Sequence, residues 1–513
     1  MKQEKYPIGP QTFENIIKDR YTYVDKTAFI PELIRTGKFI FLSRPRRFGK
    51  SLLLSTLSSF FEGRCELFRG LAIDSMDVDW TPRPVLHIDL NAENFSLENG
   101  LELLLNRILA FYEEKYNLKT IDESFAGRFT RLLRKMNEDT GKKVVILVDE
   151  YDKPLLNVEN KPALFEKNQA ILKGFFGVLK SMDPHIHFAM LTGVARFNKI
   201  SIFSDLNNLR DITLSDKFAD ICGISEEELC NYFPKGIEKI GRNNGLNPTE
   251  TLDKLRYFYD GYRFAEKGSL LYNPWSLFNA FEDEKFGFYW FETATPTFLV
   301  NRIKESKILL PSLNTLRSME SDLVSVGPDD NNPIPLLFQT GYLTIKRVNG
   351  RRYELHFPNH EVECAFAEKL RPLYLPQMDD LNGDFSLWDF QDEILDGKPE
   401  AFMRRLQAMV KAVPYEQHNE KFYQNLIYLL FTLVGMDTRV EEHTNIGRTD
   451  LVVRTKDYVY IFEFKYDGSV EDAIRQIEER DYAGRFATDT RRIFRIGANF
   501  SSSSRGLDDW KII

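Results

Sequence analysis

The stretch Phe39-Ile40-Phe41-Leu42-Ser43-Arg44-Pro45-Arg46-Arg47-Phe48-Gly49-Lys50-Ser51 runs directly into Leu52-Leu53-Leu54. Phe39 to Ser43 read as a buried strand, the leucine-rich segment reads as a helix, and the turn between them reads as a phosphate-binding loop. Such a loop offers backbone N–H groups and a helix N-terminus to anionic oxygens, a lysine to β/γ-phosphates and a hydroxyl to Mg2+. Gly49, Lys50 and Ser51 stand where that chemistry needs them, with Arg46, Arg47 and Phe48 beside them as further nucleotide-binding candidates. In one place the pattern departs from the general GxxxxGK[ST]: its first glycine is replaced by Arg44.

About a hundred residues on, Val144-Val145-Ile146-Leu147-Val148 leads into Asp149-Glu150. An apolar run of this kind predicts a central parallel strand, whose acidic end emerges at the carboxyl edge of the sheet where ligands of doubly wound folds bind. Asp149, with Ser51, is the candidate holder of Mg2+; Glu150 is the candidate polariser of an attacking water, since phosphoryl transfer needs a placed nucleophile and neutralised charge. A bare helix N-terminus and a solvated strand end are the bland readings of the two motifs taken singly. Further on, Thr192-Gly193-Val194-Ala195-Arg196 closes another strand. Thr192 and Arg196 read either as sensors of a γ-phosphate or as a helix cap and a surface arginine.

The chain has 513 residues, a formal charge of −8 and a pI near 5.6. That length implies several domains, and the charge excludes a uniformly basic wrapper of nucleic acid. No run of 18 apolar residues occurs and MKQEKYPIGPQ is no signal sequence, so the expectation is a cytoplasmic protein without membrane partners. Cys65, Cys222, Cys230 and Cys364 lack CxxC spacing and are expected to be reduced, buried thiols.

The strands FIFLS, PVLHIDLN, VVILVDE, HFAMLTG and an ITL after Asp211 alternate with helical stretches, which gives α/β with a parallel sheet. Tyr6-Pro7-Ile8-Gly9 and Tyr23-Val24-Asp25-Lys26 form an arm placed to lie over a nucleotide base. From Ala219 the pattern turns helical, with Ser225 and Glu228 spaced as a capping box, and Tyr257, Phe258, Tyr259, Tyr262, Phe264 and Tyr272 read as core. Asn349-Gly350 between LTIKR and RRYELHF predicts a hairpin in a winged-helix-like region, its tip flanked by Lys346, Arg347, Arg351 and Arg352. That tip suits a DNA phosphate, or it is the ordinary charged edge of an exposed hairpin.

The last part begins with a helix from Glu420 to Val434 and continues with strands TRVEEH, Thr449–Arg454 and Tyr458–Lys465. If Thr455 to Tyr458 form the hairpin loop, Arg454 faces Val459 and Asp450 faces Glu463, with Lys465 on the same side. Two facing carboxylates repel unless a divalent cation joins them, so Asp450 and Glu463 are candidate Mg2+ ligands and Lys465 the group that orients a water or meets developing charge. The bland reading is a solvated edge strand. The helix capped by Ser469 brings Gln476 near the same cleft, as a site residue or as the polar side of an amphipathic helix.

Residues from Tyr6 to about Phe288, carrying YPIGPQTFENI, YVDKT, FLSRPRRFGKSLLLSTL, ILVDEYD, LTGVARF, SIFSDLNNLRDITL, YDGYRF and YNPWSL, resemble the AAA-ATPase-like family of bacterial proteins. In that family the loop itself begins with arginine, so Arg44 is no departure from it. From about Tyr415 onward, GRTDLVV, IFEFK, Gln476 and Tyr482 are similar to the PD-(D/E)XK nuclease superfamily. This resemblance implies that Asp450, Glu463 and Lys465 take the nuclease core positions and Gln476 the polar place on the next helix, with Glu420 or Glu441 as a further acid. The expected architecture is α/β: a P-loop NTPase domain over 1–215, a helical lid over 216–290, a winged-helix-like region over 291–380 and a restriction-endonuclease-like domain over 381–513. The expected function is an ATPase using ATP and Mg2+, coupled to a Mg2+-dependent nuclease acting on DNA or RNA, with an oligomer open. A signalling switch whose nuclease-like domain only binds, and a nuclease with a vestigial ATPase, are the other readings.

Overall fold

The computed structural model describes residues 4–513 apart from 92, 120–123, 197–207, 291–298, 301, 304–305, 307, 324–331, 376–385, 414–418, 444–447, 483–485 and 487; for 437–443, 448 and 449 it describes the backbone alone. Part of the SIFSDLNNLRDITL motif and the Glu441 side chain therefore lie outside the described residues. The chain divides into two compact units, Met1–Arg302 with Arg317–Glu361, and Ile303–Leu316 with Val362–Ile513.

The first unit is built on five parallel strands, β1 (Phe39–Ser43), β2 (Val85–Asp89), β3 (Val144–Asp149), β4 (Ile186–Gly193) and β5 (Leu209–Asp211), in the order β2-β3-β4-β1-β5. Every residue of β1 and β3 is buried, as their unbroken apolar runs require of strands covered on both faces. Because β4 lies between β1 and β3, the carboxyl ends of all three meet at one edge, with Ser43 opposite Gly193 and Asp89 opposite Asp149. The last strand is Leu209–Asp211 rather than the expected Ile212-Thr213-Leu214. Asp211 Oδ1 accepts the Thr213 amide at 2.8 Å, a local turn that ends the ladder before ITL begins.

Beyond the sheet come helices Glu226–Tyr232, Pro234–Asn243, Pro248–Tyr259 and Pro274–Asp283, pinned by a two-residue pair, β6 (Ile224–Ser225) and β7 (Leu271–Tyr272). The Ser225–Glu228 capping box is present, with the Ser225 hydroxyl taking the Glu228 amide and the Glu228 carboxylate taking the Ser225 amide. Tyr259, Tyr262, Phe264 and Tyr272 are buried as expected. Tyr257 is exposed instead and stacks at 4.7 Å on His360. β8 (Leu316–Met319), β9 (Thr344–Asn349) and β10 (Arg352–His356) make a three-stranded sheet in the order β8-β10-β9, with the short helix Ile334–Gln339 between β8 and β9 in the chain. Asn349 pairs with Arg352 in the ladder, which shifts the turn one residue on, to Gly350-Arg351.

In the second unit β11 (Asp437–His443), β12 (Arg448–Arg454), β13 (Tyr458–Tyr466), β14 (Arg492–Ser501) and β15 (Gly506–Ile512) form a sheet in chain order, with β13 and β14 parallel and the other pairs antiparallel. The period of two along β13 sends Tyr460, Phe462 and Phe464 to a core with helices Pro399–Lys411 and Glu420–Leu433. Val459 and Ile461 go to the opposite face, with Ile474 and Ile477 of the helix Val470–Glu479. Glu463 and Lys465 share that second face.

None of the four cysteines is in a disulfide, and Cys222 and Cys364 are buried, but Cys65 and Cys230 are exposed, against expectation. Cys65 opens a 3-10 turn and Cys230 follows Leu229, the one buried residue of its seven-residue helix. Among the described residues no helix is long and apolar enough to cross a membrane.

Candidate functional site

β1 ends at Ser43, and the helix Lys50–Phe61 begins seven residues later with Gly49 as its N-cap at φ 96°, a left-handed conformation that suits glycine. Arg47 also takes a left-handed φ, 66°, and its guanidinium lies 3.5 Å from the centroid of the Trp275 ring. The loop walls a cleft of about 410 Å3 lined by Arg46, Arg47, Gly49, Lys50, Ser51, Asn91, Glu150, Lys153 and Trp275, together with the arm residues Pro7, Gly9, Pro10 and Gln11. Four cations face one carboxylate there, the charge balance that a polyphosphate complements. A second, apolar cavity of about 90 Å3 shares Pro7, Gly49, Leu52, Pro274 and Phe278 with the cleft and continues along Tyr23, Val24, Phe48 and Cys222.

Lys50 is buried and its Nζ donates to the carbonyls of Arg44 (3.1 Å) and Pro45 (3.3 Å) while pairing with Glu150 at 3.4 Å. Glu150 is itself left-handed, at φ 52°. Asp149 is buried; its Oδ1 accepts from the Thr192 hydroxyl at 2.7 Å and from the Glu150 amide at 3.1 Å. Thr192 thus orients the acid from the neighbouring strand. Arg196 is ion-paired with Asp211, and its amide donates to Gln339 Oε1 at 2.7 Å. Phe48 faces the core, edge-on to Tyr262 and Phe264, and lines the apolar cavity rather than the cationic cleft.

Arg44, the residue standing where the general loop pattern has glycine, points away from the cleft. Its buried guanidinium donates to the carbonyls of Ser43, Thr213, Phe218 and Ala219 and sits 4.3 Å from the Phe264 centroid. Burial holds its pKa down to about 10, so it stays charged at neutral pH. Arg44→Gly recreates the general pattern yet strands four carbonyls, and it is expected to destabilise the protein by about 3 kcal/mol, measured as a lower urea midpoint. One residue unassigned from the sequence is Asp152, wholly buried, whose Oδ2 accepts the amides of Val194 (3.0 Å) and Ala195 (2.5 Å). Burial, then the charge of Glu150, pushes its carboxyl up to about 7. The signal was in ILVDEYD, as an acid one turn past the strand.

In the second unit the register pairs Arg454 with Val459 and Leu451 with Phe462, and its continuation sets Asp450 against Glu463, as the spacing predicts. Asp450 Oδ2 accepts the Phe464 amide at 2.8 Å. Lys465 Nζ donates to Glu463 Oε1 (3.1 Å) and to Gln476 Oε1 (2.7 Å), so all four predicted residues converge. Gly497, opposite Glu463 on β14, makes this possible: a Cβ there would lie 3.0 Å from Ala473 and Ile474, so glycine lets the helix carrying Gln476 settle onto the sheet. Glu463 is buried, and burial, reinforced by Asp450 and opposed by Lys465, pushes its carboxyl up to about 7. Its Oε2 has no hydrogen-bond partner among the described residues.

Those residues fit a divalent cation. A buried carboxylate oxygen without a partner beside a second carboxylate is what a hard oxygen-seeking ion completes, using waters for its remaining positions. Among the described residues no group of three or more His, Cys, Asp or Glu forms a full cage. Glu420 is exposed in the first turn of its helix and accepts from Gln424 Nε2 at 3.4 Å. It is Gln424, unforeseen from the sequence, that lines the small cavity at Asp450, with Tyr428 and Phe464.

Comparison with known proteins agrees with this division. Residues 7–203 match the family described as Predicted AAA-ATPase, and residues 418–510 match the PD-(D/E)XK nuclease superfamily. A protein of Azotobacter chroococcum mcd 1, described as an uncharacterized protein in the vnfD 5' region, is 34% identical over 522 residues, covering 99% of this chain and 98% of that protein. The chain belongs to the family of AAA-ATPase-like proteins that carry a C-terminal PD-(D/E)XK nuclease superfamily domain.

Proposed function

We propose that the protein is an ATP-hydrolysing switch coupled to a Mg2+-dependent phosphodiesterase acting on nucleic acid. The observation that carries the nuclease half is Glu463, buried, held by Lys465 on one oxygen and without a partner among the described residues on the other. The cationic cleft with its adjoining apolar cavity supports the nucleotide half, a polyphosphate on one side and a flat base on the other.

Lys50 exchanges the Arg44 and Pro45 carbonyls for β/γ-phosphate oxygens. Glu150, relieved of its lysine, turns to the attacking water and takes up its proton. Ser51 and Asp149 would hold Mg2+ beside the nucleotide; the Thr192 hydroxyl donates to Asp149 and orients it. At the C-terminal centre, Asp450 and Glu463 would hold Mg2+, which would supply Lewis-acid activation of the phosphodiester. Lys465, fixed between Glu463 and Gln476, orients the water and offsets charge on the phosphate. ATP gates cleavage to the extent that it binds two arrangements of the chain with different affinity.

Incubating the full chain with labelled DNA and with labelled RNA, each with and without ATP and Mg2+, tests this. Cleavage that needs Mg2+ and rises with ATP is expected. Phosphate release without cleavage of either strand type would leave the C-terminal domain a binding module.

A further inference from the structure

At the C-terminal centre one cation stands outside the four converging residues. Arg480 is the C-cap of the helix Val470–Glu479, and its side chain is exposed. Its Nη1 donates to Tyr482 Oη at 3.2 Å, and Tyr482 is wholly buried. The same Oη accepts from Gln476 Nε2 at 3.4 Å, and Gln476 Oε1 accepts from Lys465 Nζ at 2.7 Å. A continuous chain of hydrogen bonds therefore leads from Lys465 through Gln476 and Tyr482 to Arg480. The charges of both Glu463 and Asp450 bear on the guanidinium.

An arginine that feels the charge of two carboxylates can fold onto them as an ion pair. Bonded to the phenol instead, Arg480 leaves them to a cation, and its guanidinium, a fork of five donors, stays exposed. We propose that Arg480 contacts the nucleic acid directly, its guanidinium taking non-bridging oxygens of a phosphodiester beside Asp450, Glu463 and Lys465. Lys465 and Arg480 then bracket one phosphate, and the fork suits its planar bidentate recognition. The proposal rests on the nuclease reading of this centre.

The test compares full-length wild type, Arg480→Ala, Arg480→Lys and Tyr482→Phe. Fluorescence anisotropy with labelled duplex DNA, single-stranded DNA and RNA is read in Ca2+ across a salt series, and cleavage is read in Mg2+. Arg480→Ala is expected to weaken binding about tenfold and to lower the salt slope by about one, with KM raised by the same factor and kcat within about threefold. Arg480→Lys restores the salt slope but not the full affinity, and Tyr482→Phe lowers affinity at an unchanged slope. The DNA and RNA arms identify which backbone is held. Wild-type cleavage with Arg480→Ala matching it in affinity and salt slope would overturn the role of Arg480 alone. A wild type that neither binds nor cleaves any probe would instead overturn the nuclease reading, and this proposal with it.

Discussion

Lys50→Ala is expected to abolish ATP hydrolysis and to weaken ATP binding by about a hundredfold, read by phosphate release and by calorimetric titration with ATP. The size of the effect follows from the cleft. Lys50 is its most buried cation, and its ammonium has two loop carbonyls and Glu150 within reach. Without it, Glu150 faces the γ-phosphate with no intervening charge, so a carboxylate meant to orient water repels the nucleotide. Arg46, Arg47 and Lys153 remain on the cleft wall and keep the variant from losing all affinity. Hydrolysis surviving in Lys50→Ala at more than about a tenth of the wild-type rate would contradict this role for the loop.

The other large effect is expected at Glu463→Gln, which keeps the shape and the oxygen that accepts from Lys465 but removes the charge that holds a divalent ion. Nucleic acid cleavage should fall about a thousandfold. Stability moves the opposite way. The folded-state pKa, about 7, lies above the ordinary glutamate value of 4.5. Between these two values the folded protein holds a proton that the unfolded chain has released, so this residue's contribution to stability falls as pH rises through that window and stays low above it. In EDTA the glutamine variant should therefore melt above the wild type at pH 8 and level with it at pH 4. Added Mg2+ should raise the wild-type melting temperature and leave the variant's unchanged. A variant that melts below the wild type at pH 8 without metal would mean that the carboxylate is stabilised by contacts other than those seen.

Local pattern carried the sequence reading where the chemistry is local. The loop, its helix, the acidic strand and the Asp450–Glu463–Lys465 face all follow from periodicity and from hydrogen-bond register over a few residues. What the sequence hid depends on distant segments. Arg44 reads as a missing glycine until the carbonyls of Thr213, Phe218 and Ala219, some 170 residues away in sequence, fold around it. Arg196 reads as a free cation until Asp211 meets it. β14 and β15 were not anticipated at all, although β14 supplies Gly497, on which the approach of Gln476 depends.

The path of the chain has a practical corollary. It passes from one unit to the other at 302–303, at 316–317 and at 361–362, three covalent crossings rather than one. The segment from residue 317 returns to the first unit, where Gln339 takes the Arg196 amide and Thr344 exchanges hydrogen bonds with the Arg263 backbone. Leu310, in the short excursion of residues 303–316, donates its amide to Asn425 of the same unit. No single scission can liberate either module intact. Gene fragments trimmed to residues 7–203, or to the last third alone, each discard a piece that the remainder folds against, so recombination can move these two units only as a pair.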